Sequence, residues 1–264
     1  KKELPNYLTD LTKKAKDGEV DEVYFRDEEM REIKRVLNRK ENPNVLLLGQ
    51  AGVGKTAIAN KLALEISKAE AGYGLNEYRV LSLDAAAFIA ASGGTADGFG
   101  KLVKELLDLI SDGKTILFVD EIHVFSDRRG IPGVTSNFFQ YLKALLAAGK
   151  IKVIGATTEE EFKLDIEIDT AFVKRFSQIT VKPPSPSVAK DILIALKARY
   201  ENAQNKNEPD AAKQITIPEE ACIAAVDVSE RVLKTEPLLR KATKALDEAA
   251  AAVRTRQDDI EARI

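Results

Sequence analysis

The chain has no tryptophan, one methionine, one histidine and one cysteine among its 264 residues. Cys222, being alone, cannot close an internal disulfide, and a reducing, cytoplasmic compartment is the natural setting for such a chain. With His123 as the sole imidazole, no Cys/His cluster is available to hold zinc. Long apolar runs are missing as well: no stretch approaches the roughly 18 residues of a membrane span, and no charged-then-apolar signal segment opens the chain. This excludes a membrane-spanning helix. Charge of neither sign dominates, since 40 Lys and Arg face 42 Asp and Glu for a formal charge of −2. No basic stripe with interleaved aromatics is present, which argues against nucleic acid as a partner. The chain opens Lys1-Lys2 without Met, so it is expected to be cut from a longer polypeptide.

What is present is an apolar fraction of 44%, enough for one large core and a smaller attached domain. From residue 45 to 182, short β-type runs alternate with helical stretches. VLLLG precedes AIANKLALEIS, YRVLSLD precedes FGKLVKELLDLI, and TILFVDE precedes NFFQYLKALLAA. KVIGATT, a short helix and SQITVKP follow. Such alternation predicts an α/β fold with a parallel sheet flanked by helices. PPSPS at 183–187 marks a boundary, because each proline removes a donor and restricts the residue before it. Beyond it the pattern is helical only, in DILIALKARY and LLRKATKALDEAAAAVR, with a loop expected at ENAQNKNEPD, 201–210. The expected domains are an α/β nucleotide-binding domain over 1–184 and a small all-helical lid over 187–264.

Residues 49–56 read GQAGVGKT, a full G-x-x-x-x-G-K-[ST] phosphate-binding loop between a buried strand and a helix. Gly49, Gly52 and Gly54 leave the backbone bare where a phosphate approaches, and Val53, Lys55, Thr56 and Ala57 complete the loop and open the helix. Successive N–H groups there face an anion, and the helix N-terminus adds partial positive charge. Lys55 is expected on the β- and γ-phosphates of ATP, and the Thr56 hydroxyl on Mg²⁺. A second motif, TILFVDEIH at 115–123, ends an apolar strand in Asp-Glu at the carboxyl edge of the sheet, where ligands bind in open α/β folds. Asp120 is expected to hold Mg²⁺ and Glu121 to orient and deprotonate the attacking water. His123 is assigned a packing or hydrogen-bonding role, because phosphoryl transfer needs positioning and charge stabilisation.

These residues together resemble the first ATPase domain of the ClpA, ClpB and ClpC group of AAA+ protein-remodelling machines. The resemblance covers almost the whole chain and runs in order through LTKKAKDGEVDEVYFRDEEMREIKRVLNRKENPNVLLLGQAGVGKTAIA, LSLDAAAFIA, ILFVDEIH, LLAAGKIKVIGATTEEEF, DTAFVKRF and DEAA. It implies a P-loop AAA+ fold, with ATP and Mg²⁺ held where the large domain meets its lid. It places Thr158 at the position that contacts the γ-phosphate or the attacking water, and Arg175 at the arginine-finger position that reaches a neighbouring subunit's nucleotide. It further implies a ring oligomer, a hexamer, acting on protein substrates, with a peptidase or adaptor as a further partner.

The chain departs from the family pattern at four places. SGGTADGF at 92–99 stands where the family carries an aromatic pore loop, with Phe99 as a shifted substitute or a core residue. Lys174 replaces the first arginine of an Arg-Arg pair, and VYFR at 23–26 puts Phe25 where a glycine is expected. Leu239-Arg240-Lys241 occupies the stretch of the family's lid motif. The expected function is that of an ATP-hydrolysing unfoldase or disaggregase module. The competing reading is a nucleotide-dependent assembly or scaffold domain without substrate threading.

Overall fold

Short runs rich in Val, Leu and Ile, each closed by glycine, acid or threonine, pair into one six-stranded sheet in the computed structural model. The structure describes residues 3–72, 74–126, 128–129, 138–147, 151–206, 208, 210, 213–232 and 236–261. Strands β2 (Val45–Leu48), β3 (Arg79–Leu83), β4 (Thr115–Val119), β5 (Lys152–Thr157) and β6 (Ser177–Thr180) are parallel, and the sheet order is β1-β3-β4-β5-β2-β6. β1 (Leu8–Asp10) closes one edge antiparallel to β3, which the reading of a parallel sheet beginning at residue 45 did not include. Three residues give no measurable alternation, so this strand exists only through its partner.

Because side chains alternate across a strand, each strand feeds two cores. Leu46, Leu48, Leu81, Leu83, Leu117, Val119 and Val153 face the layer that contains α4 (Ala85–Ala91), α5 (Ala96–Ile110) and α6 (Phe138–Ala147). Val45, Leu47, Val80, Ile116, Phe118 and Ile154 face α2 (Asp27–Leu37) and α3 (Lys55–Ser67) on the other side. A sheet buried on both faces explains why these strands read as continuous apolar runs. In the first layer Phe125 stacks on Phe138 at 4.0 Å, and Phe88 meets Phe99 edge-on at 5.5 Å. Phe99 is therefore core, 1% exposed, and SGGTADGF is a turn over 92–95 that runs into α5, the Thr95 side chain capping the helix by accepting from Gly98 N–H at 3.1 Å.

Residues 1–181 form one compact unit and 182–264 a second. The second is helical, built from α9 (Pro186–Asn205), α10 (Glu219–Arg231) and α11 (Leu238–Glu261) around Leu193, Cys222, Val226, Ala242 and Leu246. Ser185 caps α9, accepting from Val188 N–H, with Pro186 in the first turn where its missing donor costs nothing. The loop expected from residue 201 begins later, since α9 runs through Asn205. The Asn205 amide then donates to Ile215 O and accepts from Ile215 N, both at 2.8 Å, so a side chain takes over the backbone's hydrogen bonds where the helix stops.

Candidate functional site

β2 delivers the chain to Gly49 at the carboxyl edge of the sheet, and the loop there is built around positions that admit only glycine. A Cβ on Gly49 would stand 2.6 Å from Val181 O and 3.1 Å from Val53 Cγ1. Gly54 precedes α3 with φ 105°, in the left-handed region that a side chain disfavours. The first intrahelical bond of α3 is Ile58 N–H to Gly54 O at 3.2 Å, so the N–H groups of Gly54, Lys55, Thr56 and Ala57 precede the ladder and form a donor cluster at the helix start. Lys55 is 5% exposed, and its Nζ donates to Gly49 O at 2.8 Å and Gln50 O at 3.2 Å. Burial pulls its pKa below the usual lysine range, and the nearby charges of Asp120, Glu121 and Glu161 oppose that pull.

The loop is braced from behind by Arg26, which is 8% exposed. One arm of the guanidinium donates to Val53 O at 2.7 Å and the other pairs with Glu29 at 2.7 Å. Nothing in the sequence around VYFR singles out this contact, because its partner lies 27 residues away. Phe25 beside it is 45% exposed and adopts φ 57°, a backbone conformation that glycine favours.

β4 ends at the same edge, two strands away from β2 with β5 between them. Thr56 Oγ1 donates to Asp120 Oδ2 at 2.6 Å, and Asp120 Oδ1 accepts from Glu121 N–H at 3.0 Å. Glu121 itself is left-handed, φ 51° and ψ 42°, a conformation that costs a non-glycine residue about 1–2 kcal/mol and that directs the chain into a 3₁₀ turn, Ile122–Phe125, anchored by the aromatic core. The Glu121 carboxyl is pushed up from its ordinary value by desolvation and then by the charge of Glu161, with His123 opposing.

β5 places Thr157 and Thr158 on this edge too. Thr158 caps the helical turn Glu159–Glu161 in a reciprocal box: its hydroxyl accepts from Glu161 N–H at 3.2 Å and its own N–H donates to Glu161 Oε2 at 3.2 Å, and the hydroxyl proton goes to the same oxygen at 2.8 Å. Thr157 is fully buried with Oγ1 3.1 Å from His123 Nδ1. Thr157 and Glu161 did not figure among the expected site residues, although the spacing Thr158-x-x-Glu161 is a capping-box signature legible in sequence.

Arg175 lies elsewhere. It precedes β6, whose Ser177 pairs with Val45 and whose Thr180 pairs with Leu48, so it is at the amino edge, about 13 Å of strand away from its own phosphate loop. Its guanidinium donates to Ala171 O and its carbonyl accepts from Asn44 Nδ2 at 3.1 Å. The structure thus brings together Gly49, Gly52, Val53, Gly54, Lys55, Thr56, Ala57, Asp120, Glu121 and Thr158, and leaves Arg175 apart. In the helical unit, Lys241 Nζ donates to Ser229 O at 2.6 Å and Val232 O at 2.7 Å, which satisfies the carboxyl end of α10.

Comparison with known proteins assigns a family to both units of the chain. The model of the ATPase family associated with various cellular activities (AAA) matches residues 45–184, and that of an AAA lid domain matches 185–264. The chaperone protein ClpB of Tropheryma whipplei is 36% identical over 97% of this chain, and the heat shock protein hsp98 of Neurospora crassa is 37% identical over 97%. The chain spans only 35% and 27% of those proteins. Among solved structures, the S. cerevisiae Hsp104-ADP complex superposes with a TM-score of 0.84 at 32% identity, over 96% of this chain and 34% of that one. The S. cerevisiae Hsp104:casein complex in its extended conformation gives 0.79 at 32%, over 96% of this chain and 41% of that one. With one family model over the α/β unit and another over the helical unit that follows it, the chain belongs to the AAA family of ATPases as a ClpB-type AAA+ domain with its lid.

Proposed function

We propose that this chain binds and hydrolyses ATP as one module of a Clp-type protein unfoldase or disaggregase that works as a hexameric ring in the cytoplasm. The observation that carries the reading is the contact of Thr56 Oγ1 with Asp120 Oδ2 at 2.6 Å, which unites two motifs 64 residues apart beside Lys55 and Glu121. A hydroxyl and a carboxylate form an all-oxygen pair that suits a hard divalent cation, so Thr56 and Asp120 are the residues that would hold Mg²⁺. Bound there, Mg²⁺ would neutralise charge on the transferring phosphoryl group.

The chain's own groups supply the rest. The N–H groups of residues 54–57 bind phosphate oxygens, and the Lys55 ammonium, released from the Gly49 and Gln50 carbonyls, adds charge beside them. Glu121 orients a water and takes its proton as that water attacks the γ-phosphorus, with ADP as the leaving group. The raised pKa of its carboxyl makes it a stronger base than a solvated glutamate. Thr158 stands near the same edge with its hydroxyl held by Glu161, from which it would turn to reach the γ-phosphate or the water, and Arg175 serves the nucleotide of a neighbouring subunit, a role that its distance from its own loop supports. Protein substrates, and a peptidase or adaptor partner, belong to the complete machine.

The test is a pair of variants in the full-length protein. Lys55→Ala should abolish most ATP binding in calorimetry, and Glu121→Gln should keep binding while slowing single-turnover hydrolysis by about 10²-fold or more. Unchanged affinity in the first, or an unchanged rate in the second, would reject the assignment. One observation favours the second reading, a scaffold domain: Phe99 is buried, and the turn at 92–95 carries no exposed aromatic ring with which to grip a threaded chain.

A further inference from the structure

The mechanism above leaves one buried network unused. His123 is 5% exposed, and its Nδ1 faces three oxygen atoms: Thr157 Oγ1 at 3.1 Å, Glu161 Oε2 at 3.4 Å and Glu121 Oε2 at 3.6 Å. Glu161 is the hub of this group. Its Oε2 accepts from Thr158 Oγ1 at 2.8 Å, from Thr158 N–H at 3.2 Å and from Thr157 Oγ1 at 3.3 Å. Burial alone would raise its pKa, but the Thr158 hydroxyl and N–H, the His123 ring and the Thr157 hydroxyl outweigh it, and the carboxyl is held below the usual glutamate range.

Those contacts decide the tautomer. An ionised carboxylate only accepts, so the single Thr157 hydroxyl proton goes to Glu161. Thr157 Oγ1 then has only lone pairs for the imidazole, and this network is satisfied by the tautomer that carries its proton on Nδ1 and donates it to Thr157. That same N–H is the polar edge presented to Glu121. Glu121, His123 and Glu161 could superficially be taken for a cation cage, since their ligand atoms lie within 4.8 Å of one another. The hydrogen bonds argue otherwise: Nδ1 is a donor without a free lone pair, and the Glu161 oxygen that faces it is already saturated by three donors.

We infer that Glu161, Thr157 and His123 form a positioning relay that holds the Glu121 carboxylate in place for hydrolysis, the threonine and glutamate fixing the imidazole and the imidazole N–H holding the base. This rests on Glu121 being the general base. Two opposed forces act on that carboxylate: attraction to the His123 N–H at 3.6 Å and repulsion from the Glu161 charge, whose oxygen faces the same Nδ1 within 4.8 Å of it. The need for such restraint is visible in the backbone, because Glu121 is in the left-handed region and its side chain is 51% exposed, so few of its own contacts order it. None of the three relay residues touches the reacting atoms in this arrangement. They are positioning residues.

The experiment measures ATP affinity and single-turnover hydrolysis in the full-length assembled protein for His123→Ala, His123→Asn, Glu161→Gln, Glu121→Gln and the double variant His123→Ala/Glu121→Gln. His123→Ala should slow hydrolysis roughly 10- to 100-fold, the scale expected when a reacting group is misplaced by about 1 Å, with ATP affinity within about twofold of wild type. His123→Asn, whose amide nitrogen can stand where Nδ1 stands, should recover most of the rate. Glu161→Gln keeps the helix cap but removes the charge that anchors the relay, and should slow hydrolysis about tenfold. The double variant should be no slower than Glu121→Gln alone, because the relay acts only through that carboxylate. The inference is overturned if His123→Ala and Glu161→Gln hydrolyse at the wild-type rate, or if the double variant multiplies the two losses. Glu121→Gln turning over like wild type would instead remove the base assignment, and the relay with it.

Discussion

Replacing Arg26 with alanine tests how far the phosphate loop depends on a brace from outside the motif. The guanidinium, 8% exposed, joins Val53 O and Glu29 through two contacts of 2.7 Å. A hydrogen bond to a charged group contributes about 1.5–3 kcal/mol, and its loss here strands a buried carbonyl in the middle of the loop as well as a half-buried carboxylate. The expected loss of folding stability is therefore about 2–3 kcal/mol. For a domain of this size that corresponds to a fall in Tm of roughly 4–12 °C. Val53 lies between two left-handed glycines, Gly52 at φ 76° and Gly54 at φ 105°, so without the brace the loop regains freedom that must be removed again when phosphate binds. If most of the lost energy reappears as an ordering cost, ATP affinity falls roughly 10- to 100-fold, at tenfold per 1.4 kcal/mol. Arg26→Lys, which keeps the charge but not the two-armed geometry, should fall between alanine and wild type. Calorimetric titration with ATP and thermal unfolding of the three proteins check this. Wild-type affinity in Arg26→Ala, even with a lowered Tm, would refute the argument that the brace preorganises the loop.

Gly49→Ala should cost about 1–3 kcal/mol in urea unfolding, because its Cβ meets the Val181 backbone oxygen at 2.6 Å and neither strand end can yield without moving the loop; a variant as stable as wild type would mean the close approach is relieved cheaply. Asp169 pairs with Lys143 at 2.8 Å and caps the helical turn Thr170–Val173 through Phe172 N–H at 3.0 Å. Burial opposes ionisation there, and those partners outweigh it, so its pKa is lowered on folding. A lowered folded value means the stabilisation is present above the unfolded aspartate pKa of about 3.9 and is lost as pH falls through the folded value. Stability measured from pH 6 to pH 3 should accordingly fall less steeply in Asp169→Asn than in wild type, and parallel curves would contradict the pairing. Arg175→Ala should leave ATP affinity of a single subunit near wild type while lowering hydrolysis in the assembly by about 10³-fold or more. Mixed rings of Arg175→Ala with Lys55→Ala subunits should regain part of the activity, and mixtures that stay as inactive as either parent would count against a role across the subunit boundary.

Most of the nucleotide-binding loop could be read from the sequence because it is contiguous. Strand VLLL, the glycines of GQAGVGKT and the opening of α3 act through backbone conformation over a few residues, and their chemistry is set by residue type and spacing alone. The Asp-Glu strand end is legible for the same reason, and the two-sided burial of the sheet shows in its unbroken apolar runs. The tertiary structure decided what depends on the order of strands. β5 inserts between β2 and β4, and only that order sets Thr157 and Glu161 beside His123 and Glu121, residues 34 and 40 positions apart whose alignment no periodicity encodes. The three-residue β1, the contact of Arg26 with Val53 and the burial of Phe99 are likewise products of partners remote in the chain. A local motif is specified by steric limits on neighbouring residues. A network is specified by which strands lie side by side, and that is settled only when the two cores on either face of the sheet have packed.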